Sequence, residues 1–142
     1  MTLLLDVQNL KTKFHTPEGT VHAVNGVSFH LDEGETLAVV GESGCGKSVT
    51  ALSIPRLIPS PPGKIVSGDI WFDGQRIFAL TSKELQHIRG RAVSMIFQEP
   101  LSALSPLHRI GRQMVETLRL HRRDMPEKAA WKTAEDWLRK VG

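Results

Sequence analysis

The sequence predicts an α/β fold, with short apolar strands and helices around a glycine-rich loop. Three observations predict it. The octapeptide Gly41-Glu42-Ser43-Gly44-Cys45-Gly46-Lys47-Ser48 fits the spacing G-x-x-x-x-G-K-[ST]. Before it, Thr36-Leu37-Ala38-Val39-Val40 is a short apolar run, as a buried parallel strand would be. After it, Val49, Leu52 and Ile54 begin a short helical pattern that ends near Pro55.

The elements follow in order. Leu3 to Leu10 reads as a strand, a turn is expected at Thr16-Pro17-Glu18-Gly19, and Val21 to Leu31 resumes in extended form. There Val27 and Phe29 alternate with Ser28 and His30. Asp32-Glu33-Gly34 turns the chain into the apolar run before the loop. Pro55, Pro59, Pro61, Pro62 and Gly63 mark a segment that cannot be helical. Val66 to Phe72 is a further strand closed by an Asp73-Gly74 turn. Ser82 is expected to cap a short helix through Leu85 and Ile88. Ala92 to Phe97 reads as a second largely apolar strand that ends at Gln98.

Beyond Pro100 the pattern becomes helical. Leu107, Ile110, Met114 and Leu118 recur at helical spacing, and Ala130, Ala134, Trp137, Leu138 and Val141 form a stripe on a second helix. Asp124, Pro126 and Glu127 are the expected start of that helix. Trp131 and Trp137 read as packing residues.

The bulk properties narrow the partners. The chain has 142 residues, the size of one small domain, and no apolar run of membrane-spanning length. A cytoplasmic protein, or one on the cytoplasmic face of a membrane, is expected. Its one cysteine, Cys45, excludes an intrachain disulfide and a cysteine-rich metal site. That thiol reads either as a reactive group at a helix start or as a small residue at a variable motif position. Residues 1–81 carry a net −2 and residues 82–142 a net +5. Nucleic acid is one reading of the basic half. Carboxylates interleave with the basic residues and aromatic partners are few, which favours a solvated helical face or a surface toward a membrane protein.

The chemistry of the octapeptide is specific. Its three glycines permit backbone conformations that a Cβ would oppose, so successive N–H groups can turn inward as an anion-binding nest. The following helix adds its unsatisfied N–H groups and positive dipole end. Lys47 supplies a point charge to the β- and γ-phosphates, and Ser48 a hard oxygen for Mg²⁺. A bound nucleoside triphosphate is the expectation.

With these residues in view, the sequence resembles the ATP-binding subunit of a prokaryotic ABC transporter, of the dipeptide/oligopeptide/nickel-uptake group. The similar stretches are Ala23 to Phe29, Gly34 to Leu37, the phosphate loop, and Met95-Ile96-Phe97-Gln98-Glu99-Pro100. The run from Glu99 to Pro106, continuing to Ile110-Gly111-Arg112-Gln113, is most particular to that group, which usually has Asn in place of Ser105. The resemblance implies an ABC ATPase nucleotide-binding domain: antiparallel strands, the start of a RecA-like core, then the first helices of a helical subdomain. Residues 1–98 would form the nucleotide-binding core, ending at the Q-loop, and residues 99–142 the start of the helical subdomain. ATP and Mg²⁺ are the implied cofactors.

The resemblance also assigns single residues. Gln98 corresponds to the Q-loop glutamine, whose amide oxygen can coordinate Mg²⁺ and which can hydrogen-bond attacking water. Phe14 corresponds to the aromatic that stacks on adenine, although an ordinary core position is an equal reading of that residue. The implied partners are a second ATPase subunit, transmembrane permease subunits and, indirectly, an extracytoplasmic solute-binding protein, without nucleic acid. The location would be peripheral, on the cytoplasmic face of the inner membrane.

A Ser-Gly-Gly signature, an apolar strand ending in Asp-Glu and the family's switch histidine are not found after Gln98. The chain therefore resembles the first part of such an ATPase. The strand at Leu37–Val40 is expected to take its neighbour from sequence after Gly142, and the isolated chain to bind nucleotide weakly, fold poorly and not hydrolyse ATP. Other readings are a nucleotide-binding remnant and a small P-loop kinase or GTPase. The guanine-reading Asn-Lys-x-Asp and switch Asp-x-x-Gly motifs do not occur.

Overall fold

The alternation of β-branched and polar residues along the N-terminal third builds one antiparallel sheet. The computed structural model describes residues 2–99 and 103–142. Met1 lies outside them, as do Pro100, Leu101 and Ser102 of the stretch that carries the resemblance. Two compact units divide the chain, Met1–Gln86 and His87–Gly142.

In the first unit, β1 (Leu3–Thr16) and β2 (Gly19–Asp32) form a long hairpin. The turn falls where Pro17 and Glu18 suggest, and the Thr16 hydroxyl closes it on the Gly19 carbonyl at 2.9 Å. β3 (Gly63–Phe72) pairs with the other edge of β1, and β4 (Gln75–Arg76) returns along β3, giving the order β2-β1-β3-β4. Asp73 and Gly74 take φ of 47° and 70°, the left-handed pair that a two-residue hairpin requires.

β1 runs six residues past the Leu10 limit that its apolar pattern suggests. The reason is a bulge. Val7 pairs with Phe29 but Leu10 with Val27, and Gln8 pairs with Asp69 but Lys11 with Ser67. Each neighbour therefore meets one extra residue in β1. Asn9 absorbs it with φ 46° and donates its N–H to the Ser28 hydroxyl at 2.8 Å. The bulge resets the alternation, so the inward positions Leu5 and Val7 are followed by Leu10 and Thr12, all buried. Ile70 from β3, Val24 from β2 and Ile77 complete this core.

α1 (Lys47–Ser53) follows the phosphate loop and packs against β1 and β2. α2 (Ser82–Ile88) is capped by Thr81 rather than by Ser82. The Glu84 carboxylate accepts from the Thr81 N–H and hydroxyl, both at 2.7 Å, and the Glu84 N–H points back to the Thr81 hydroxyl at 3.4 Å. This reciprocal box needs the cap one residue earlier than the first helical serine.

Two expected strands do not form. Thr36–Val40 and Ala92–Phe97 have no ladder among the described residues; the second holds only a single bridge, Val93 to Arg89. Val40 is 87% and Ile96 93% exposed, so neither apolar run is buried as a core strand would be. An apolar composition supplies the side chains for a buried strand, but the ladder itself requires a second backbone.

In the second unit α3 (Ile110–His121) and α4 (Glu127–Val141) pack through Val115, Ala130 and Ala134, with Met114, Leu118 and Met125 around them. Gly111 lets the Trp131 ring approach the α3 backbone, where a Cβ would meet it at 2.7 Å. α4 starts after Pro126 without a side-chain cap, so Asp124 does not serve as one. Only part of the α4 stripe is covered: Trp137, Leu138 and Val141 are exposed.

Candidate functional site

The phosphate loop lies between β2 and α1, and its shape comes from residues that no bulky side chain could replace. Gly44 and Gly46 take φ of 81° and 94°, in the left-handed region. Gly46 begins α1, and a Cβ on it would overlap the Ala23 carbonyl oxygen of β2. The loop is thus pressed directly onto the sheet at its last glycine. Thr50, one turn into α1, donates both its N–H and its hydroxyl to the Gly46 carbonyl, at 2.8 and 3.0 Å, and so braces the helix start.

Lys47 folds back over the loop. Its Nζ donates to the carbonyls of Gly41 and Glu42, each at 2.7 Å, and lies 3.6 Å from Cys45 Sγ. The cation therefore sits at the mouth of the loop, bounded by Gly41 on one side and the α1 start on the other. The Cys45 N–H reaches the Glu42 carbonyl at 3.4 Å. Among the described residues, the amides of Gly44, Gly46, Lys47 and Ser48 enter no backbone hydrogen bond. Ser43, Cys45 and Ser48 are solvent-exposed.

This donor set fits a polyphosphate with a hard divalent cation. Orphan N–H groups and one ammonium satisfy anionic oxygens, and the Ser48 hydroxyl beside them is the kind of ligand that Mg²⁺ takes alongside phosphate. The Lys47 and Ser48 amides are donors that a helix start leaves unpaired, and Gly44 and Gly46 add two more from the loop itself.

The other two candidates belong to other segments of the chain. Phe14 is near the turn end of β1, half-buried, and pairs with Gly63 on β3. Its ring edge and the Ile58 side chain converge on Gly63, where a Cβ would meet them at 2.9 and 2.5 Å. Gln98 is exposed in the second unit, at a bend after the apolar run. Thr12, Thr50, Ser53 and the Ala23 carbonyl, which fix the loop from behind, escape a motif search. The bulge at Asn9 is the signal that would have turned Thr12 inward.

The fold is that of a P-loop NTPase nucleotide-binding domain. Its 96% overlap with the ATP-binding cassette MJ0796, solved as a dimer in a post-hydrolysis state bound to ADP and Pi, has a TM-score of 0.77 at 24% identity and covers 56% of that chain. Residues 24–142 match the family model described as "ABC transporter", and the chain belongs to that family. The oligopeptide transport ATP-binding protein OppD of Bacillus subtilis is 47% identical over all 142 residues. The dipeptide transport ATP-binding protein DppD of the same organism is 49% identical over 142 residues. The chain spans 39% and 42% of the length of these two relatives.

Proposed function

We propose that this chain binds Mg-ATP at Gly41–Ser48 and belongs to the ATPase subunit of an importer for peptides, or for nickel and related small solutes. The observation that carries the reading is Lys47 held at the mouth of a loop where the amides of Gly44, Gly46, Lys47 and Ser48 have no backbone partner. Phosphate oxygens would accept from Lys47 and from the amides of Gly44, Gly46, Lys47 and Ser48. Lys47 would exchange its two carbonyl acceptors for anionic ones, a gain because hydrogen bonds to charged partners are the stronger kind. Ser48 and Gln98 would hold Mg²⁺, which would neutralise charge on the β- and γ-phosphates. Phe14, half-buried on β1, would stack on the base.

The peptide assignment rests on the relatives, whose names specify oligopeptide and dipeptide transport. In that reading the subunit pairs with a second ATPase subunit and docks on transmembrane permease subunits fed by a solute-binding protein, at the cytoplasmic face of the membrane. Among the described residues no helix is long and apolar enough to cross a membrane, which suits a peripheral subunit. Hydrolysis is a property of the assembled protein in this reading, not of these residues alone.

Titration with a fluorescent ATP analogue and Mg²⁺ tests the site. Lys47→Ala removes the one cation from the loop and should weaken binding by on the order of 2–3 kcal/mol. Equal affinity in wild type and Lys47→Ala would refute the assignment.

A further inference from the structure

A seven-residue helix does not hold its own direction in water. α1 starts at Gly46 with no side-chain cap and no acidic residue in its first turn, so its orientation is imposed from outside. That orientation matters, because Lys47 and Ser48 are its first two residues. At the front the helix is fixed by Gly46 against the Ala23 carbonyl and by the Thr50 brace. At the back it is fixed by a pair of hydroxyls. Ser53, the last helical residue, and Thr12 of β1 are both 0% exposed, and their oxygens lie 3.2 Å apart.

The direction of that bond follows from counting hydrogens. Ser53 has one hydroxyl proton and donates it to the Val49 carbonyl at 2.7 Å. Thr12 must then be the donor to Ser53, giving a relay from Thr12 to Ser53 to the Val49 carbonyl. Among the described residues it is the side-chain hydrogen bond that joins α1 to the sheet. Apolar contacts around it hold the helix down but resist sliding and rotation weakly, since they are non-directional. A buried hydrogen bond sets one angle and one register, and the cost of leaving it unmade defends both.

We infer that Thr12 and Ser53 are positioning residues for the phosphate loop: their buried hydroxyl pair sets the aim of α1, and with it the placement of Lys47 and Ser48 on a nucleoside triphosphate. The inference rests on the nucleotide reading above. Neither residue touches the ligand. Their effect reaches it through the helix, over about 10 Å of axis at 1.5 Å per residue. Losing the bond frees the Ser53 end, so α1 can tilt and twist about Gly46 and turn the directions of Lys47 and Ser48 while the sheet stays folded.

The test uses the whole chain with a fluorescent ATP analogue and Mg²⁺, and inorganic pyrophosphate as a competitor. Thr12→Val keeps the shape of the side chain and removes the donor; it should weaken both ligands by about three- to tenfold. Thr12→Ser keeps the hydroxyl and should stay within about twofold of wild type. Adding Ser53→Ala to Thr12→Val should cost less than the two single changes combined, because they remove one shared bond. Ile70→Val, in the same sheet but away from α1, lowers the melting temperature comparably and should leave affinity unchanged. Should Thr12→Val not fold, Ser53→Ala alone carries the same expected loss. Wild-type affinity in Thr12→Val, or in Ser53→Ala where that stands in, overturns the inference. So does an equal loss in Thr12→Ser or in Ile70→Val. A wild-type chain without Lys47-dependent binding overturns the nucleotide reading and this inference together; Lys47-dependent binding indifferent to the hydroxyl pair overturns the inference alone.

Discussion

Substituting alanine at Gly46 adds one methyl group at the point where the phosphate loop rests on the sheet. Two separate costs follow. The residue has φ 94°, and holding a side chain in the left-handed region costs about 1–2 kcal/mol. The new Cβ would also overlap the Ala23 carbonyl oxygen, with the carbonyl carbon at 3.4 Å and Val24 Cγ2 at 3.7 Å. The obstructing atom is backbone within β2, so relief requires moving the loop off the strand. Overpacking of that kind costs about 1–3 kcal/mol. The free loop can escape both by adopting another shape, whereas the ligand-binding shape cannot. The penalty of about 2–5 kcal/mol therefore appears in the nucleotide dissociation constant, as a loss of roughly thirtyfold or more.

Two neighbouring glycines supply the controls. Gly44 has φ 81° but nothing within 4 Å of where an added methyl group would lie, so Gly44→Ala meets strain alone and should lose roughly five- to thirtyfold. Gly41 has no left-handed φ, and its Cβ would clash with the Cys45 thiol at 2.6 Å, a side-chain end that can rotate away, with Cys45 Cβ and Lys47 Cδ at ordinary contact distances of 3.9 and 4.0 Å. Gly41→Ala should bind within about threefold of wild type. Fluorescence titration across the three variants, with melting curves to verify that the sheet persists, reads the order directly. Gly46→Ala binding as well as Gly44→Ala would refute the argument that contact with Ala23 shapes the loop.

Ile70→Ala empties a fully buried position between β1 and the rest of the core, and urea unfolding should show a loss of about 2–5 kcal/mol; a loss under about 1 kcal/mol would mean this sheet is not the core of the unit. Thr81→Ala removes the α2 cap and should cost about 1 kcal/mol in the same assay, while Ser82→Ala should cost little. The Thr81 hydroxyl, then its N–H, holds the Glu84 carboxyl below the usual glutamate range. A depressed carboxyl stabilises the fold above its unfolded value and loses that contribution as pH falls through the folded one, so capping should fade on acidification below about pH 4, and Glu84→Gln should flatten that dependence. For Gln98, in the assembled transporter, Gln98→Ala should leave ATP affinity nearly intact and lower permease-stimulated hydrolysis, since the residue is proposed to act in the transition state; unchanged stimulated turnover would remove it from the site.

The sequence by itself determined the local chemistry of this protein. The octapeptide could be found in the sequence because the spacing of glycines, lysine and serine is a covalent property, fixed before any folding. The turns at Pro17-Glu18 and Asp73-Gly74 were equally legible, since each depends on the φ preference of one or two residues. So were α3 and α4, whose apolar periodicity is long enough to be distinctive. What depends on a second segment of chain was not legible. The runs Thr36–Val40 and Ala92–Phe97 carry strand composition but no ladder among the described residues, because pairing belongs to two backbones and composition to one. The inward turn of Thr12 was hidden by Asn9, whose single extra residue inverts every later position of β1, a shift that alternation alone cannot reveal. The Thr12–Ser53 bond and the contact of Gly46 with Ala23 join residues 41 and 23 positions apart. Only the tertiary structure could decide them, because the energy that aims a short helix comes from what it is packed against.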